Sequence, residues 1–317
     1  MFKQLLGRQD TTSPKYSRNE GFNLFLTNHR LTYHPGTSKL VVSFDNAGSH
    51  TEGPFQSRSI WGEKFYCSEG YSLLGVVARE PDWFRCSDVI SALKQLAAAG
   101  FFKSFQHVLF TGSSMGGFAA CAFAPLSPGC TVLALNPQAT RDPKRVPWEP
   151  RFIAGKDRNW SLPYSDAAKG IRSASRAHIV FDPLNRLDQR HVRMLVDKKS
   201  DALLPIPAGG HGVPPMLVQM GTLKDLTRDV IEHRLDRSVF LKQIRRRKNT
   251  LRYYNILATE SLCRRRNAFA LRAANAGLAK FPNSDLWELK ALALVALGKP
   301  VLALQALEEH RKRKKNA

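Results

Sequence analysis

Between residues 40 and 206 the chain returns again and again to short, largely apolar runs, and between most of them it switches to a helical period. The runs cover residues 40–44, 72–77, 107–111, 131–135, 178–181 and 203–206. A strand with one wet face alternates apolar and polar residues, whereas a strand that is apolar throughout must be covered on both faces. Residues 88–99 carry an apolar stripe at Val89, Ile90, Leu93 and Leu96, with Ser87 as candidate N-cap and Gly100 as candidate stop. Further helices are expected over 116–123 and 189–197, and one long helical segment over 215–235. The pattern predicts an α/β fold, a mostly parallel sheet with helices on both faces, over residues 21–238. Residues 1–20 are polar, and residues 139–170, rich in Pro, Arg and Lys without a clear period, read as a lid or long excursion. An apolar content of 43% supports a real core and argues against a disordered chain.

After about residue 240 the character changes. Residues 241–317 hold eighteen Lys or Arg against five Asp or Glu, so thirteen of the net +22 charges lie there. No strand signal appears, and helical patterns recur at 250–262, 267–280, 285–297 and 301–312. The stretch from Phe281 to Pro300 resembles a tetratricopeptide helix–turn–helix, with Trp287, Ala291 and Gly298 where that repeat places a large aromatic, a small residue and a turn. Residues 239–317 are therefore expected to form a small all-α, tetratricopeptide-like appendage. Its basic clusters, among them Arg245–Lys248 and Arg264–Arg266, suit an acidic protein or an anionic polymer as partner. No zinc finger or RNA-recognition motif is present in the sequence.

The five cysteines are widely spaced and make no C-x-x-C pair, which points to reduced thiols and to neither a zinc site nor a disulfide framework. No cofactor or metal is expected. The N-terminus has no apolar signal region, and no stretch approaches the ~20 apolar residues of a membrane span. A soluble, cytoplasmic protein is the expectation.

The chemistry concentrates at Thr111-Gly112-Ser113-Ser114-Met115-Gly116-Gly117. Gly112, Ser114 and Gly116 form G-x-S-x-G, which needs glycine at both flanks because a nucleophile held on a sharp strand-to-helix turn leaves no room for side chains two residues away. Taken alone the motif is common. Here a strand precedes it and a small-residue helix follows, which is the setting it requires. Ser114 is the candidate nucleophile, and its neighbour Ser113 lies off the centre of the motif.

A serine so placed needs a base from late in the domain. His211 lies in Pro207-Ala208-Gly209-Gly210-His211-Gly212, a glycine-flanked loop after the last short strand. His107, His178 and His191 lie at strand starts or within a helix and suit the role less well. Two acids compete after the strand at 178–181: Asp182 at the strand end and Asp188 deeper in the loop, where it also suits an N-cap. Asp188 is preferred because a loop carboxylate can approach His211 more freely. The preceding strand ends in Asn136, not an acid, and Asp142 is a remote alternative. Oxyanion donors are expected from the Met115 N–H and from the loop after the strand at 40–44, at Asn46 or Ala47. The cations and tryptophans of the excursion (Arg141, Lys144, Arg145, Trp148, Arg151, Arg158, Trp160) suit either the orientation of an anionic or sugar substrate or a solvated basic surface.

At Gly112–Phe118, Asn136-Pro137-Gln138, Asp182-Pro183 with Asp188 and His191, and Gly210-His211-Gly212, the chain resembles a group of bacterial α/β-hydrolases associated with polysaccharide biosynthesis, export and accessory secretion. The resemblance spans residues 35–235. It implies the α/β-hydrolase fold, a Ser114–His211–Asp arrangement, and a serine esterase or carbohydrate O-deacylase acting on an ester or acylated carbohydrate. The alternative is a non-catalytic or acyltransferase-type component that docks acidic partners through its basic helices. Ahead of residue 40 the two strands that usually open such a sheet are not recognisable.

Overall fold

The computed structural model describes residues 17–196 and 202–315. Residues 1–16 of the expected polar segment, and Asp197 at the end of one expected helix, lie outside the described residues. Among the described residues there are eight strands: β1 (Phe22–Phe25), β2 (His29–His34), β3 (Lys39–Phe44), β4 (Ser72–Ala78), β5 (His107–Ser113), β6 (Thr131–Leu135), β7 (Arg176–Phe181) and β8 (Leu203–Pro205). Their order in the sheet is β1-β2-β4-β3-β5-β6-β7-β8. β2 pairs antiparallel with β1 and β4, while β3 lies parallel to β4 and β5, and β7 parallel to β8. A mostly parallel sheet with β3 and β4 interchanged and helices between strands is the α/β-hydrolase fold. β3 through β8 fall on the six apolar runs.

The opening hairpin is the part that the sequence pattern hid. β2 reads His-Arg-Leu-Thr-Tyr-His, with no apolar run, yet His29 to Tyr33 are all buried. Its polar side chains are tied internally. Thr32 Oγ1 donates to Asn23 Oδ1 at 2.7 Å, His29 Nε2 lies 3.3 Å from Asp82 Oδ1, and Arg30 donates to the carbonyls of Gln56 and Arg58. Buried polar groups of this kind are tolerable only when partnered.

The chain divides into two compact units. The first contains the described residues up to Val132 together with Thr140–Ala177. Its helices are α1 (Glu63–Ser68), α2 (Ser87–Ala98), α3 (Met115–Ala122) and α4 (Ala167–Gly170). The expected stripe of α2 is buried at Val89, Ile90, Leu93 and Leu96. Its N-cap is Cys86, one residue ahead of the expected Ser87, and carries no side-chain cap bond. Phe44 stacks between Phe110 and Phe123, with centroids at 6.2 and 5.7 Å. The excursion after Thr140 is fastened to this unit by buried Arg85, whose guanidinium donates to the carbonyls of Leu162 and Pro163 at 2.7 Å and of Tyr164 at 2.9 Å.

The second unit comprises Leu133–Ala139 and the described residues from His178 onward. Its helices are α5 (Arg186–Leu195), α6 (Val213–Gln219), α7 (Leu223–Ile231), α8 (Arg237–Gln243), α9 (Leu251–Cys263), α10 (Asn267–Leu278), α11 (Leu286–Ala296) and α12 (Pro300–Lys315). The single helix expected over 215–235 is two, α6 and α7, because Gly221 takes a left-handed conformation at φ +68° and breaks the run. α9 to α12 match the four expected patterns. Tyr254, Leu278 and Leu286 form one small core there, and Ala291, Leu294, Ala303 and Ala306 another. No helix among the described residues is long and apolar enough to cross a membrane.

Candidate active site

In the first unit β5 runs into α3 through Ser114, which holds φ +55° and ψ −111°. A non-glycine residue in that region is strained, and strain of this kind persists only where neighbours enforce it. Both flanking glycines are required by close packing. A Cβ on Gly112 would lie 2.5 Å from the carbonyl carbon of Gly116, and one on Gly116 would meet the carbonyl oxygen of Phe44 and lie 2.7 Å from that of Asp45. The elbow is therefore braced against the end of β3. Ser114 is 8% exposed and also serves as the N-cap position of α3. Met115 opens that helix, where the first N–H groups lack intrahelical acceptors.

The loop that follows β3 is well ordered by its own bonds. Asn46 Oδ1 accepts from the Gly48 N–H at 2.7 Å, its Nδ2 donates to Ser49 Oγ at 2.9 Å, and the Ala47 carbonyl lies 2.8 Å from His50 Nδ1. Asn46 and Ala47 are half-buried. Ahead of them Asp45 is buried, bonded to the Ala78 N–H at 3.2 Å and paired with Arg58 at 3.3 Å. Burial outweighs those partners and pushes the Asp45 carboxyl up to about 6.

The second unit holds the candidate base and both candidate acids. His211 Nδ1 lies 2.9 Å from Asp188 Oδ1 and 2.9 Å from Oδ2. Asp188 is buried in the first turn of α5, whose N-cap is Asn185 and not either aspartate. Asp182 plays a different part. Its Oδ1 accepts from the N–H groups of Leu184 at 2.8 Å and Ala208 at 3.0 Å, and its Oδ2 from that of Gly210 at 2.8 Å. It ties the histidine loop to the end of β7, and burial raises its carboxyl above the ordinary range. His191 Nδ1 accepts from the Ala139 N–H at 3.2 Å, a bond that holds the segment after β6.

Asn136, at the end of β6, carries more than its place in the sequence announces. It is fully buried at φ +46°. Its Nδ2 donates to Asp188 Oδ2 at 3.1 Å and to the Gly210 carbonyl at 3.3 Å, and its Oδ1 accepts from the Val213 N–H at 3.2 Å. One side chain thus joins Asp188 to both sides of His211. The one signal in the sequence is a polar residue directly at the C-terminal end of an apolar strand, the edge where open α/β sheets gather functional groups.

Most of the excursion's cations are engaged within the fold. Buried Arg141 donates to the Arg151 carbonyl at 2.5 Å, Arg145 pairs with Asp166 at 3.0 Å, Arg151 with Glu149 at 2.6 Å and Arg158 with Glu80 at 3.0 Å. Trp160 donates to the Gly155 carbonyl at 2.9 Å and packs edge-on against Phe118.

No family model matches the chain, and no curated protein matches it. Among solved structures it is similar to the capsule O-acetyltransferase of Neisseria meningitidis serogroup A, at 15% identity and a TM-score of 0.46, over 66% of this chain and 94% of that one. It is also similar to the fluorophosphonate-binding serine hydrolase F of Staphylococcus aureus, at 9% identity and a TM-score of 0.42, over 64% and 96%. A third is brefeldin A esterase, a bacterial homologue of human hormone-sensitive lipase, at 16% identity and a TM-score of 0.39, over 71% and 79%. The fold itself rests on the strand order.

Proposed function

We propose that the chain is a serine hydrolase that cleaves a carboxylic ester, with Ser114 as nucleophile, His211 as general base and Asp188 as the acid that orients it. The observation that carries this reading is the buried Asp188 carboxylate held by both oxygens at His211 Nδ1. A carboxylate there fixes the proton on Nδ1, leaves Nε2 as the basic nitrogen and stabilises the imidazolium that forms during turnover. The strained, glycine-flanked Ser114 supports the same reading from the other unit.

In the reaction His211 Nε2 removes the Ser114 Oγ proton as Oγ bonds to the ester carbonyl carbon. The tetrahedral oxyanion is held by the Met115 N–H and by an N–H from Asn46 or Ala47. As the C–O bond to the alcohol breaks, the imidazolium returns its proton to the leaving oxygen. Water, deprotonated by the same nitrogen, then attacks the acyl-enzyme and releases the acid and the free serine. Asp182 keeps the histidine loop in place and takes no part in proton transfer. The motif set resembles hydrolases of polysaccharide systems, and an O-acyl group on a carbohydrate is the substrate class this supports.

Replacing Ser114 by Ala tests the reading. Turnover of p-nitrophenyl acetate is expected to fall at least about a thousandfold, as removal of a triad nucleophile does elsewhere. Unchanged turnover would remove Ser114 from the mechanism.

A further inference from the structure

Among the basic C-terminal helices α9 lies on the loops that carry His211 and Asp188. It does so with one stripe, since Arg252, Ile256 and Glu260 recur every fourth residue on one helix face, and Arg264 continues that spacing at the C-cap. Ile256 packs on Gly210, where a Cβ would come within 2.8 Å of its Cδ1. Glu260 sits in the field of Asp182 and Asp188, and burial together with those charges raises its carboxyl. Arg264 donates to the Leu184 carbonyl in the acid loop and pairs with Glu260 at 3.8 Å. Just ahead of the helix, Arg247 Nε donates to the Pro207 carbonyl at 3.0 Å, which fixes the start of the histidine loop.

Arg252 is the member of this stripe with a charge and no counterpart. Its guanidinium lies against Gly212, the residue after His211, so closely that a Cβ there would collide with Nη2. Among the described residues it has no hydrogen bond and no carboxylate partner, and its Nε is buried without an acceptor. Burial draws its pKa below the ordinary guanidinium value, but an arginine stays cationic at neutral pH. A half-buried cation left unpaired is costly, and a bound anion would remove that cost. The excursion's arginines at 141, 145, 151 and 158 do not compete for this role, because each already has internal partners.

We infer that Arg252 is a specificity-determining residue that holds an anionic group of the ester, a carboxylate or a phosphate, beside His211. The inference rests on the hydrolase reading above. It also explains what the C-terminal segment contributes. α9 delivers a forked cation to the histidine loop, and Gly212 is glycine because the guanidinium occupies the space of its side chain. The anionic group can belong to the acyl or to the alcohol part of the ester, and the guanidinium suits either by two parallel N–H···O bonds.

The test compares kcat/KM for neutral p-nitrophenyl acetate, for mono-p-nitrophenyl succinate, which is anionic on the acyl side, and for 5-acetoxy-2-nitrobenzoate, which is anionic on the alcohol side. The wild-type protein is expected to favour one of the anionic esters over the neutral one by about tenfold or more, the usual scale of one charged hydrogen-bonded contact. Which ester it favours identifies the side. The preference should vanish in Arg252→Gln and persist in part in Arg252→Lys, which also guards against a misfolded Gln variant. Titration of inorganic phosphate by calorimetry gives a readout that needs no turnover, with binding weakened about tenfold or more in Arg252→Gln. Preference ratios and phosphate binding that are the same in the wild type and Arg252→Gln would overturn the inference. If no ester is turned over at all, the hydrolase reading falls, while the phosphate titration still decides whether Arg252 holds an anion.

Discussion

His211 Nδ1 stands 2.9 Å from each carboxylate oxygen of Asp188, and the two side chains differ sharply in exposure: 25% for the imidazole and 2% for the carboxylate. A buried carboxylate thus sits against a ring that is partly open to solvent. Asp188→Asn keeps the shape and removes the charge, and it also turns a donor toward Nδ1, which favours the wrong tautomer. The expected result is a fall in kcat of roughly 10⁴-fold for p-nitrophenyl acetate, the scale seen when a triad acid is made neutral. A kcat within threefold of wild type would show that Asp188 does not orient the base.

Asn136→Ala removes three hydrogen bonds at a fully buried position and places alanine at φ +46°. Asparagine tolerates that conformation far better than alanine. Urea unfolding should show a loss of about 2–4 kcal/mol, the sum expected for stranded buried partners and a strained backbone. The kcat should fall with it, because Asp188 and both flanks of His211 lose their common tie. An unchanged unfolding midpoint would mean that the asparagine bridges nothing of consequence.

The Asp45 carboxyl, pushed up to about 6 by burial, gives stability a defined pH dependence. A raised native pKa means that the folded state holds its proton more tightly than the unfolded one. The associated stability is therefore fully present below the unfolded value near 4 and is lost as pH rises through about 6, the opposite of a carboxylate held in its charged form. The loss attributable to Asp45 is on the order of 2–3 kcal/mol. Urea unfolding at pH 4.5 and 7.5 should show this component in the wild type, and Asp45→Asn should flatten it. An equal pH response in the variant would assign the effect to other groups.

Much of this molecule was legible in the residue order, for reasons specific to particular elements. Strands built on short apolar runs announce burial on both faces, so β3 to β8 were visible, and the glycines at 112 and 116 marked the elbow because close backbone packing demands them. β1 and β2 were not visible, since β2 buries polar side chains: His29 and Arg30 through partners far along the chain, and Thr32 through Asn23 across the hairpin. Periodicity did not reveal the break at Gly221, although the glycine was there to be read. The contacts of Asn136 join positions 52 to 77 residues apart, and those of Arg252 depend on how α9 docks. Neither kind of relationship leaves a local signal. Nor does the sequence show how differently the two aspartates are engaged: the Asp188 carboxylate meets the imidazole of His211 and that of Asp182 meets three backbone N–H groups.

Reaction with a fluorophosphonate probe tests the central assignment most directly, because Ser114 Oγ must be made nucleophilic by His211 to displace fluoride from phosphorus. Intact-mass and peptide-mapping measurements are expected to find one adduct per chain, located on Ser114, absent in Ser114→Ala and strongly slowed in His211→Ala. Equal labelling of the wild type and Ser114→Ala, or an adduct mapped to another residue, would contradict the account.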